Sequence, residues 1–92
     1  MDRFSLEILE RTIELAIESM PPEDNPRVAA CVGAILPYVK SPKADEEGTV
    51  QTALIELVQV SRLNGRFLIA ARLTHIVNQL SISRGALDAR AS

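Results

Sequence analysis

Tryptophan is absent from this 92-residue chain, and the other aromatics are scarce, with one Tyr and two Phe. That leaves no aromatic platform on which single-stranded nucleic acid could stack. A lone cysteine, Cys31, excludes an intrachain disulfide and with it a secreted, disulfide-stapled scaffold. His75 is the sole histidine and has no Cys or Asp at ligand spacing. There is no glycine-rich phosphate loop and no Ser/His/Asp set. These absences predict no catalytic site, no bound metal and no cofactor: the chain reads as something other than an enzyme. An excess of one charge is lacking too, with ten Lys+Arg against twelve Asp+Glu. A long apolar run is missing as well. The longest uncharged stretch, Val28–Val39, is 12 residues and contains Pro37, well short of the roughly 20 apolar residues a membrane helix needs. The N-terminal segment is interrupted by charge, unlike a signal peptide. The expectation is a cytoplasmic protein without membrane attachment, bacterial in its size and simplicity.

What is present is aliphatic. Apolar residues make up 47% of the chain, and they are mostly Leu, Ile, Val and Ala with few β-branched runs, a composition that favours helix over sheet. In the first segment Leu6, Leu9, Ile13, Ala16, Ile17 and Met20 recur at helical spacing. Phe4, Ile8 and Leu15 fall on a different face at about 100° per residue. Between the two stripes runs an acidic ridge of Glu7, Glu10, Glu14 and Glu18, and Pro21–Pro22 ends the segment. Like charges four apart mildly destabilise a helix, so the ridge is read as a solvated face or one that a basic surface relieves.

Asn25 followed by Pro26 is an N-cap and first-turn signal. The second segment that follows has Val28, Val32, Ile35 and Val39 on one stripe, Ala29, Gly33 and Leu36 beside it, and Cys31 on its other edge. A helix apolar nearly all round is expected to be buried between others, and Pro37 to kink or end it. Cys31 is read as a small structural hydrophobe whose burial raises its pKa. A polar loop around Pro42 leads to a third segment, about Gly48–Leu63, striped by Val50, Ala53, Leu54, Leu57, Val58 and Ser61, with Ile55 facing away. Asn64–Gly65 is a helix stop. The fourth segment, Arg66 to about Leu80, carries Ile69, Leu73, Ile76, Val77 and Leu80. The predicted fold is all-α: one four-helix domain over residues 1–82, antiparallel and bundle-like, with a C-terminal αα-hairpin and a short polar tail over 83–92.

Charge is unevenly placed: residues 1–60 hold five basic and eleven acidic side chains, residues 61–92 five Arg and one acid, Asp88. Such asymmetry suits internal pairing, a partner surface or a nucleic-acid patch. Two function classes follow. The favoured one is a small regulatory protein-interaction module, an antiactivator, adaptor or chaperone-like protein. It would dock on a larger protein through surplus apolar helix surface. A second copy would be the first cover, twofold homodimers being the commonest oligomer. Phe4, Ile8 and Leu15 are the candidate interface residues. The alternative rests on Leu80–Leu87, which resembles the turn and the start of the recognition helix of a helix-turn-helix. That resemblance implies a DNA-binding regulator in which Arg84 and Arg90 meet DNA. It departs from the pattern in having Val77 where a small residue is usual and Ser81 in place of the turn glycine.

Overall fold

In a computed structural model of the protein, the backbone is described for residues 3–91 and the side chains for residues 3–80. The described chain is all-helical, with no strand among the described residues. Its elements are α1 (Arg3–Ser19), α2 (Pro26–Lys40), a short 3₁₀ turn (Ala44–Glu46), α3 (Glu47–Leu63) and α4 (Phe67–Ala91).

Each boundary has a local cause. Pro21 lacks the N–H that would continue α1, and the turn after it closes through Asp24 N–H to Pro21 O at 3.0 Å and Asn25 N–H to Pro22 O at 3.3 Å. The Asn25 side chain accepts from the N–H groups of Arg27 and Val28, satisfying donors that the first turn of α2 leaves free. At the end of α3, Gly65 adopts φ 73°. Arg66 N–H then reaches Ser61 O at 2.8 Å and Gly65 N–H reaches Arg62 O at 3.0 Å. These two bonds form a Schellman cap, whose left-handed residue glycine adopts without Cβ strain. The Asn64 side chain adds a bond to Val60 O at 2.8 Å.

The first apolar stripe of α1 enters the core as the spacing predicts: Leu9, Ile13, Ala16 and Met20 are buried, with Leu6 and Ile17 packed at the edge. They meet Val28, Cys31, Val32, Ile35 and Tyr38 from α2, Val50, Leu54, Leu57, Val58 and Val60 from α3, and Ile69, Ala70, Leu73 and Ile76 from α4. The helices in contact are α3 with α4, α2 with α3, α1 with α4 and α1 with α2. Two buried hydroxyls need partners and find them one turn back: Thr12 donates to Ile8 O at 2.8 Å and Ser61 to Leu57 O at 2.7 Å.

Three expectations require correction. Pro37 does not end α2, which continues to Lys40 and closes with Ser41 N–H on Pro37 O at 3.0 Å. Proline leaves the Gly33 carbonyl without its helical donor, but both residues are exposed, so water can take that place. Nor is α2 enclosed on all sides. Ala29, Ala30, Gly33 and Pro37 face outward, because such small side chains gain little from burial. The fourth helix runs to Ala91 rather than to about Leu80. Ser81, Ser83 and Gly85 are weak helix formers, but none blocks a helix as proline does.

Candidate functional site

The second stripe of α1 stays outside the core. Phe4 is 70% exposed, Ile8 40% and Leu15 38%. The structure joins this stripe to a second apolar pair that sequence periodicity leaves out: Phe67 and Leu68, 68% and 69% exposed at the start of α4. Both lie off the buried stripe of Ile69, Leu73 and Ile76. Two large apolar side chains off the core face, directly after a helix stop, were the available signal.

Together α1 and α4 frame one continuous face with three parts. At one end, Ile8, Thr12, His75 and Ile76 line an open hollow of about 470 Å³ that Arg11 and Arg72 also border. At the other, Leu15 and Ser19 border a hollow beside Phe67 and Leu68. Between them Arg11, Glu14, Leu15, Glu18 and Arg72 line a polar saddle. The Schellman cap sets where α4 begins and so where Phe67 and Leu68 stand. Arg66 leans across the link to the Ser19 carbonyl at 3.5 Å.

The charges on this face are unspent among the described residues. Arg11, Glu14, Glu18 and Arg72 form no ion pair with any described residue, whereas Arg3 pairs with Glu7 at 3.9 Å and Arg27 with Glu56, its Nε at 2.8 Å from Oε1. The ridge glutamates are all exposed. His75 is exposed beside Arg72, as its position off the stripe of α4 predicts.

The remaining sequence candidates fall elsewhere. Cys31 is buried between the helices, and its thiol pKa is raised, chiefly by burial and further by the Glu56 charge, against a lowering from Arg27. A thiol held in its neutral form is a poor nucleophile. The Tyr38 hydroxyl donates to Glu47 Oε1 at 3.2 Å, and its pKa is pushed up to about 12 by burial and by that carboxylate. Among the described residues, no three His, Cys, Asp or Glu side chains gather so as to hold a metal ion. No helix is long and apolar enough, among the same residues, to cross a membrane. Across Leu80–Leu87 the backbone is helical throughout, so there is no turn at Ser81. The side chains of Arg84 and Arg90 lie outside the described residues. No protein-family model matches the chain, and no curated protein or solved structure is significantly similar to it.

Proposed function

We propose that this protein is a small regulatory interaction module of the antiactivator, adaptor or chaperone-like kind, which binds a larger protein through the α1–α4 face. The observation that carries the reading is that five large apolar side chains, Phe4, Ile8, Leu15, Phe67 and Leu68, stand exposed on two helices. Four of them border the same continuous face, and Phe4 extends it by one turn along α1. Covering one such side chain contributes about 1.5–3 kcal/mol, so a few suffice for specific affinity. In this reading the four helices form an antiparallel bundle, with α3 and α4 as its αα-hairpin, and the face is the side of that bundle left uncovered. A homodimer is the first cover, and the protein works in the cytoplasm without a cofactor. The charged saddle steers encounter and rejects wrong partners more than it adds affinity.

The test places a photo-crosslinking side chain at Leu15 in the native host, with Ile55 on α3, also exposed, as the control position. An adduct from Leu15 heavier than two protomers, missing from Ile55 and lost with Ile8→Glu, is the expected result. Equal adducts from both positions would remove the face from the function. Duplex-DNA binding by the purified protein, lost both at moderate salt and with Arg84→Ala/Arg90→Ala, would move the function to the DNA-binding alternative, since phosphate contacts release counterions.

A further inference from the structure

We infer that the α1–α4 face is built to pair with a second copy of itself about a twofold axis through the polar saddle. The inference rests on the interaction reading above and specifies its occupant. The argument is the order of features along the face. An open hollow lies at the Ile8–His75 end, the exposed Phe67 and Leu68 flank a second hollow at the opposite end, and the Leu15 saddle lies between. A twofold axis exchanges the two ends. It therefore brings Phe67 and Leu68 of one protomer to the Ile8 hollow of its partner, twice over.

The charges follow the same symmetry. On α1, Arg11 lies one turn before Leu15 and Glu18 one turn after it. Two antiparallel copies of α1 crossing at Leu15 set Arg11 of each protomer against Glu18 of the other. Arg72 and Glu14, which share the saddle, add a second reciprocal combination. A face meant for a strongly acidic or strongly basic partner would carry one sign. This one carries both, on either side of its midpoint, and none of the four is committed to an ion pair with a described residue. Self-complementary charge of this kind fixes register and suppresses other pairings.

The experiment is a charge exchange, read by sedimentation velocity with helicity followed by circular dichroism. One variant, Arg11→Glu/Arg72→Glu, makes the saddle wholly acidic. The other, Glu14→Arg/Glu18→Arg, makes it wholly basic. The wild type is expected to be dimeric at micromolar concentration, each variant alone monomeric and fully helical, and their equimolar mixture dimeric again. Leu15→Cys supplies a measurement that needs no charge change: with Cys31 buried, mild oxidation should join two protomers through position 15. A wild type that stays monomeric at high micromolar concentration overturns the pairing. It leaves the binding of a larger protein to stand or fall on the Leu15 crosslink. Dimers that survive in both charge variants, or that form but do not crosslink through Leu15→Cys, overturn this axis.

Discussion

The α2–α3 side and the α1–α4 side of this small domain solve the same problem differently. Between α2 and α3 the seam is closed: Val28, Cys31, Ile35 and Tyr38 meet Val50, Leu54 and Leu57 in the buried core. The polar groups at its margin are matched, Tyr38 with Glu47 at the α3 N-terminus and Arg27 with Glu56 across the helices. Between α1 and α4 the inner stripes are equally buried, but the outer margin is not closed. Apolar side chains stand in solvent, and arginine and glutamate lie near one another without an ion pair to any described residue. An exposed ion pair contributes little, about 0–1 kcal/mol, so the charges do not make one side more stable. The difference is in what remains available to another molecule. At the α2–α3 seam the facing side chains are spent on the fold itself, although Ile55 and Leu63 stand exposed elsewhere on α3; the α1–α4 margin still offers its apolar and charged groups together.

The sharpest way to break this comparison is to damage the closed side. Leu57 is fully buried at the centre of α3, so Leu57→Ala should cost about 2–5 kcal/mol, the lost transfer energy plus the cavity. Urea denaturation followed by circular dichroism measures it. A cost below that of a surface substitution would show that the α2–α3 core is not what holds the domain.

A smaller effect is expected at the link that positions the open side. Gly65→Ala places a Cβ at φ 73°, where no neighbouring atom lies within 4 Å. The cost is therefore backbone strain and not collision, about 1–2 kcal/mol. The same variant should weaken self-association, because the turn sets where Phe67 and Leu68 stand. Unchanged stability together with unchanged association would remove the turn from the account.

The smallest effect sharpens the closed side through pH. Tyr38 is the sole tyrosine, so ultraviolet absorbance reports its ionisation alone. It should titrate near 12 in the folded protein, against about 10 for an exposed tyrosine. The folded state holds its proton more tightly than the unfolded state does. Its contribution to stability is therefore complete below about pH 10 and is lost as pH rises towards 12. Tyr38→Phe should remove this alkaline loss, at a cost of about 0.5–1.5 kcal/mol for the hydrogen bond. A Tyr38 that titrates at its ordinary value would contradict the closed seam.

Much of this arrangement is legible in the residues, and the part that is not has physical causes. The stripes of α1, the Asn25–Pro26 start of α2 and the Asn64–Gly65 stop are local chemistry, and each appears in the structure where the sequence places it. Local chemistry identifies Phe4, Ile8 and Leu15 as a face apart but cannot say what lies beside it. That Phe67 and Leu68 complete the face depends on how α4 crosses α1, which periodicity does not encode. Of the two outcomes expected at Pro37, a kink or an end, the end does not occur, for a related reason. The proline's cost is set by whether water can reach the Gly33 carbonyl, and that is a property of packing. The length of α4 exceeds the expectation because Ser81, Ser83 and Gly85 lower helix propensity without blocking a helix as proline does.

The buried thiol has a use that follows from its isolation. Cys31 is the one cysteine in the chain, and it sits beneath α2 facing the core with its proton firmly held. A thiol-reactive dye cannot reach it until the helices part, so its labelling rate is a clock for opening of the domain. The chain thus carries its own reporter. Without any introduced label, it registers whether covering the α1–α4 face slows the breathing of the core behind it.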